Sequence, residues 1–274
     1  MYSRVYVEIT NICNMRCSFC HGHSRAPRQM TETEYARVLQ QLTGKTQYLY
    51  HHLMGEPFIH PLLPRFLQMA QQAGFRPMLT TNGTLLDRLG DAVLTQGLHK
   101  VNISIHSFEA DQPDAHRSYI QKVADFAEKA NHAGVIISLR LWNNGCDNGK
   151  NRDTVKLLQE FFPCQWTENT RGYRIRDKLF LEWGDRFDWP DASAPDLGNR
   201  LFCHGMQDHF GILCDGTVVP CCLDSDGVIA LGNVFREEIS DILSSPRAQA
   251  ITEGFRQRKA TEDLCRRCGY ARKF

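Results

Sequence analysis

Short apolar runs, some alternating and some unbroken, take turns along this chain with longer segments whose apolar residues return every three or four positions. Residues 4–10 set Val5, Val7 and Ile9 against Arg4, Tyr6 and Glu8, the period of two expected of a strand with one face more buried than the other. Thr31 with Glu34 three residues on makes a capping-box pattern, after which Tyr35, Val38, Leu39 and Leu42 recur at helical spacing until Gly44. Residues 47–52 predict a second strand, and 62–73 a helix stopped by Gly74. Strands at 77–81, 100–106 and 135–141 then alternate with helices at 85–94, 113–133 and 153–162, and 173–183 contains a sixth strand. The run Val-Ile-Ile-Ser-Leu at 135–139 is apolar on both faces, as a parallel strand covered by helices requires. Repeated units of this kind predict an α/β fold built on a parallel sheet or barrel.

After residue 183 the pattern changes. Asp, Pro, Ala and Gly replace the apolar runs over 184–198, which reads as a linker lying over the mouth of the barrel. Beyond it, 210–214 and 217–220 flank Asp215-Gly216, a hairpin-turn signal, and 239–244 and 247–258 are helical. The predicted organisation is a barrel over 1–183, a linker over 184–199 and a small C-terminal unit over 200–274.

Composition narrows the function. The 274 residues carry 32 Lys and Arg against 31 Asp and Glu, so nothing demands nucleic acid; the local run Arg171, Arg174, Arg176 and Lys178 reads as a solvated edge. There is no apolar targeting segment and no run of about 18 apolar residues, so no membrane is expected and the location is cytoplasmic. Eleven cysteines are an odd number for paired disulfides, and they are grouped: three near the start, two isolated at Cys146 and Cys164, and six from Cys203 onward. Metal binding at two regions is the natural reading, with Cys146 and Cys164 as small buried apolar residues.

Cys13, Cys17 and Cys20 sit with three and then two residues between them just past the first strand. Three thiolates in one loop can hold three corners of a cubane iron–sulfur cluster and leave the fourth iron without a protein ligand. A structural zinc site would close its shell with four. With Phe19 directly before the last cysteine, the stretch resembles the signature of the radical S-adenosylmethionine (SAM) enzymes. That resemblance implies a partial (β/α)6 TIM-like barrel whose open iron binds SAM, and a reduced cluster whose electron generates a 5′-deoxyadenosyl radical. It also implies a flavodoxin- or ferredoxin-type electron donor.

Within the resemblance, Phe19, Gly55, Glu56, Asn82, Ser104 and Arg140 are expected to contact SAM. Gly55-Glu56-Pro57 is similar to the family's glycine–glutamate motif, although Met54 stands where a first glycine is often found. Asn82 lies in a Thr-Asn-Gly segment, Ser104 is favoured over His106 at the end of the fourth strand, and Arg140 carries a planar fork suited to a carboxylate. His21 and His23 follow the trio and either line the site or cap it.

Cys203, Cys221, Cys265 and Cys268 can bring four thiolates together, which suits zinc or an iron–sulfur cluster alike. The pattern Asp-Gly-Thr-Val-Val-Pro-Cys-Cys with the later Leu-Gly-Asn resembles the SPASM and shorter twitch extensions of radical SAM proteins. By that resemblance these four hold one auxiliary [4Fe-4S] cluster, with Cys214 and Cys222 as competing ligands or as spare catalytic thiols. An auxiliary cluster near the substrate can accept an electron. The expected function is therefore hydrogen abstraction from a small polar metabolite, by dehydrogenation or epimerisation, in a radical SAM oxidoreductase. The alternatives are a maturase acting on a short peptide, with any leader-recognition domain supplied by a separate protein, and a non-catalytic metal-binding module. No substrate-side acid or base stands out; Asp215, Asp224 and Glu182 read as solvated.

Overall fold

The computed structural model describes residues 1–273. Its strands are β1 (Arg4–Val7), β2 (Tyr48–Tyr50), β3 (Arg76–Thr81), β4 (Lys100–Ile103), β5 (Ile136–Asn144), β6 (Thr167–Asn169), β7 (Gly172–Arg176), β8 (Leu179–Asp185), β9 (His209–Ile212), β10 (Thr217–Val219) and β11 (Gly232–Asn233). The helices are α1 (Glu32–Leu42), α2 (Leu63–Gln72), α3 (Leu86–Leu94), α4 (Pro113–His132), α5 (Lys150–Phe161), α6 (Ile239–Ser244), α7 (Pro246–Arg256) and α8 (Asp263–Arg266). All strands join one sheet in the order β11-β10-β9-β1-β2-β3-β4-β5-β8-β7-β6.

Six neighbours, β1 through β5 and β8, run parallel, which gives the α/β architecture that the strand–helix alternation predicts. Inward residues such as Val5, Leu49, Leu79, Val101, Ile137 and Leu179 are fully buried beneath the helices. The stop signals work as read, since Gly44, Gly74 and Gly134 all take positive φ just past a helix.

At the head of α1 the Thr31 hydroxyl accepts from the Glu34 amide at 3.2 Å, and the Glu34 carboxylate accepts from the Thr31 amide at 2.8 Å. Replacing Thr31 with alanine opens this box, and chemical denaturation is expected to show about 1 kcal/mol of lost stability with no change in metal content.

Two elements differ from the sequence pattern. Residues 173–183 form a hairpin, β7 and β8, in which only β8 joins the parallel set; Lys178 turns the chain at φ 57°. The fourth strand stops at Ile103, and Ile105–Ser107 makes a single 3-10 turn. Ser104 and His106 therefore sit on a turn, where the two-residue alternation of a strand does not apply.

The C-terminal segment continues the same sheet. β9 pairs in parallel with β1 from Arg4↔His209 to Val7↔Ile212, and β10 returns antiparallel. Gly216 in the turn has φ +86° and lies so close to Phe235 and Asn233 that a Cβ would sit 2.6 Å from the Phe235 ring. Only glycine suits both demands.

Candidate active site and cysteine clusters

The loop between β1 and α1 presents the first trio at the C-terminal ends of the parallel strands, where barrels of this kind gather reactive groups. Its base is closed by Asn11, whose Nδ2 donates to the Ala26 carbonyl at 2.8 Å while its Oδ1 accepts from the Arg28 amide at 2.7 Å. Glu109 grips the loop from β4's side by accepting from the Ser18 amide at 3.0 Å and from its hydroxyl. Cys13 and Cys20 are exposed and Cys17 is half-buried, and none of the three is in a disulfide. Burial, then Cys20, Glu109 and Cys13, push the Cys17 thiol up to about 12. Burial also raises Cys13, with smaller contributions from Glu56 and Cys20. Cys13 and Cys17 are thus close to each other and to Cys20, and the set suits three corners of an iron–sulfur cube. Among the described residues no three His, Cys, Asp or Glu side chains converge to hold a single metal ion.

The expected SAM contacts surround this loop unevenly. Gly55, at φ +76°, lies against the cluster loop so tightly that a Cβ would meet the Thr10 carbonyl oxygen at 2.3 Å. The Glu56 carboxylate is turned away, accepting from the Phe58 amide at 3.0 Å, the Thr81 hydroxyl at 2.8 Å and the Asn82 amide at 2.7 Å. Burial pushes it up to about 7 against those bonds. What this motif turns toward the loop is backbone. Asn82 donates to Asn14 at 3.0 Å and reaches the Cys13 sulfur at 4.0 Å, which puts it beside the trio. From the turn after β4, Ser107 accepts from the Cys17 thiol at 3.7 Å and His106 packs on Phe19 at 4.8 Å, whereas Ser104 accepts from Ser107 through its carbonyl. A cleft of about 270 Å³ opens here, lined by Ser18, Phe19, His106, Asn143 and Arg186 among others. From residues 184–198, the indole Nε1 of Trp189 donates to the Phe19 carbonyl at 3.0 Å and its ring stacks on His21; His23 instead bonds the Asn11 carbonyl within the loop.

Cys203, Cys221, Cys265 and Cys268 all line one larger cavity of about 570 Å³. Burial pushes Cys203 up to about 11 and raises Cys221, Cys265 and Cys268, with the neighbouring thiols adding to the first three of these shifts. Four free thiols lining one cavity fit a cluster ligated wholly by the protein. The two spare cysteines separate. Cys222 faces the same cavity and bonds Tyr6, whereas Cys214, 1% exposed, lies against Glu8 and Arg25 away from the other thiols. Cys146 and Cys164 are exposed rather than buried, Cys146 in the loop between β5 and α5 and Cys164 just past α5, where its thiol donates to the Ile175 carbonyl at 3.3 Å.

The cavity's remaining wall is what sequence patterning missed. Arg4, Lys100, Arg140, Arg171 and Lys273 face it, against Glu182, Asp185 and Asp224, with Tyr6, Tyr50 and Trp142 between them. Arg171, read as a solvated edge, is exposed as that reading has it and also borders this cavity, while Arg174 pairs with Asp177 and Arg176 with Glu128. Arg140 sits 3.6 Å from Glu182 with its guanidinium 4.3 Å from the centre of the Trp142 ring. On β5 the period of two sends Arg140 and Trp142 to this cavity and Leu141 and Asn143 to the cleft beside the first trio. Four buried nitrogens around the cavity, Arg4 Nε, Arg140 Nε, His52 Nδ1 and His209 Nδ1, have no hydrogen-bond partner. Burial, then nearby Arg140 and His51, hold His52 down to about 3, and burial with Arg4 holds His209 down to about 4, so both rings are neutral.

The family description "Radical SAM superfamily" matches residues 7–146, and "Iron-sulfur cluster-binding domain", SPASM, matches 203–269. The chain belongs to the radical SAM superfamily. It carries a C-terminal SPASM domain, and its cofactors are SAM, the SAM-binding [4Fe-4S] cluster and an auxiliary [4Fe-4S] cluster. A GTP 3′,8-cyclase of Chlorobaculum tepidum is 32% identical over 39% of this chain and 34% of its own length. Probable GTP 3′,8-cyclases of Methanothermobacter marburgensis and Sulfolobus acidocaldarius are 28% and 29% identical, each over 91% of this chain and 91% and 90% of their own lengths. Among solved structures, BtrN in complex with AdoMet and 2-DOIA superposes with a TM-score of 0.60 at 19% identity, over 98% of this chain and 93% of that one. Streptococcus suis SuiB gives 0.64 at 14%, over 98% and 71%. At these identities the structures speak for the fold.

The relatives correct the expected reaction. They are named for closing a ring on GTP, so the expectation of an oxidoreductase that dehydrogenates or epimerises a small polar metabolite is overturned, and the non-catalytic reading falls with it. The error has a physical source: four auxiliary thiols tell how a cluster is held and nothing about the substrate beside it. Among the described residues no helix is long and apolar enough to cross a membrane.

Proposed function

We propose that this radical SAM enzyme acts on a purine nucleotide of the GTP class, in the sense that its relatives' name gives. Cys13, Cys17 and Cys20 would hold the cluster that meets SAM, with Gly55, Asn82 and the cleft beside Phe19 around the cofactor. Cys203, Cys221, Cys265 and Cys268 would hold the auxiliary cluster. Once bound, these groups supply the one-electron chemistry that opens an unactivated C–H bond.

The observation that carries the substrate class is the set of buried nitrogens without hydrogen bonds, Arg140 Nε among them although it faces Glu182, around a cavity with more cations than carboxylates. Buried donors without partners are costly, and a ligand rich in acceptors relieves that cost. Arg4 and Arg140 are suited to phosphate oxygens, and the Tyr6, Tyr50 and Trp142 rings to the flat base. Neutral His52 and His209 can donate or accept at the base or the sugar.

The test is anaerobic. With reconstituted protein and dithionite, 5′-deoxyadenosine is expected to form faster with GTP present than with guanosine or with no substrate. Equal rates under all three conditions, or stimulation by a peptide instead, would refute the assignment.

A further inference from the structure

Glu8 is fully buried at the end of β1, and its carboxylate joins four parts of the chain. It accepts from both Nη atoms of Arg25 at 2.7 and 2.8 Å, from the Met54 amide at 3.0 Å and from the Cys214 amide at 3.2 Å. Met54 belongs to the loop that carries Gly55, and Cys214 follows β9. Arg25 lies just past the first trio in sequence, and its Nε donates to the Ser225 carbonyl at 2.8 Å. Beside it the amide and hydroxyl of Ser24 donate to Asp226 at 2.7 and 3.1 Å. Ser225 and Asp226 stand immediately beyond the stretch that holds Cys221 and Cys222. The segment after Cys20, which has no helix or strand of its own, is thus pinned to the segment after the auxiliary thiols. The pin itself is the set of hydrogen bonds to the Ser225 carbonyl and the Asp226 carboxylate, and the bidentate ion pair with Glu8 fixes the Arg25 guanidinium in the orientation that makes it.

We propose that Arg25, held by Glu8, is a positioning residue that ties the loop of the first cysteine trio to the loop of the auxiliary thiols and so sets the geometry in which SAM binds. The inference rests on the assignment of Cys13, Cys17 and Cys20 as the ligands of the SAM-binding cluster. Residues that orient ligands from behind commonly change metal or ligand affinity by about 10- to 100-fold. An effect of that size is expected of this tie.

The experiment uses the full chain reconstituted without oxygen. It measures SAM affinity by equilibrium dialysis and records the change that SAM produces in the electron paramagnetic resonance spectrum of the reduced first cluster. In Arg25→Gln, SAM affinity is expected to fall about 10- to 100-fold, with the auxiliary signal and its iron retained. Arg25→Lys restores part of the loss, since an ammonium keeps the charge without the fork. Should Arg25→Gln fail to fold, Asp226→Ala severs the solvent-facing end of the same tie while leaving Glu8 paired, and a smaller loss of affinity in the same direction is expected. Unchanged SAM affinity in Asp226→Ala and in folded Arg25→Gln overturns the proposal, as does an equal loss of both cluster signals. A parent chain whose first cluster shows no response to SAM overturns the ligand assignment itself, and the tie with it.

Discussion

Cys17→Ala is expected to abolish reductive cleavage of SAM while leaving the auxiliary iron in place. Cys17 is the middle member of the trio proposed to hold the SAM-binding cluster, and its sulfur is aimed at the Ser107 carbonyl between the loop and the turn after β4. Two thiols left at Cys13 and Cys20 cannot hold a cube whose remaining irons lack ligands. Anaerobic iron and sulfide analysis should therefore fall from roughly eight irons per chain to about four, two cubes becoming one. The reciprocal change, Cys265→Ala, should give the same iron count with cleavage of SAM preserved, because its neighbours are Cys203 and Cys268 in the larger cavity, which the first trio does not line. A Cys17→Ala protein that still makes 5′-deoxyadenosine at the parent rate would remove the first trio from the chemistry.

The second large effect belongs to Arg140. Its guanidinium lies between Trp142 and Glu182 at the cavity wall, with Nε facing Glu182 at 3.6 Å and short of a full hydrogen bond, so a phosphate would share the fork with Glu182. Truncating a buried charge that binds an opposite one costs about 2–5 kcal/mol. At about 1.4 kcal/mol per tenfold, Arg140→Met should weaken GTP binding on the order of 100-fold. The slow cleavage of SAM without substrate should be unaffected, since Arg140 lines the cavity and not the cleft at Phe19. Because the substitution also strands Glu182, the double variant with Glu182→Gln separates lost binding from lost packing. GTP affinity equal to the parent's in both variants would show that the phosphates sit elsewhere.

Much of this could be read before any coordinates, because it depends on neighbours in sequence. The helical spacing after Thr31, the glycine stops and the cysteine intervals are local, and the structure keeps them. What escaped was assembled at long range. Arg4, Lys100, Arg140 and Arg171 come from four different strands or turns, and nothing in their immediate surroundings shows that they face one cavity. The Glu8–Arg25 pair crosses a loop, and two of its other partners, Cys214 and Ser225, lie some two hundred positions away. Glu56 is legible as a motif, yet its inward turn follows from the donors of Thr81 and Asn82 on a neighbouring strand. The two-strand hairpin at β7 and β8 was hidden because Asp177-Lys178 carries no glycine, and Lys178 takes the left-handed conformation unaided.

One consequence follows from the pairing of β9 with β1. The first barrel strand has a hydrogen-bonded neighbour on each side, β2 on one and β9 on the other. A chain cut before β9 would leave β1 with a bare row of amides and carbonyls, the kind of border that recruits strands from other molecules. The iron-binding tail therefore doubles as a selvedge for the barrel, and expression of the first 199 residues alone should yield aggregates where the whole chain stays dispersed.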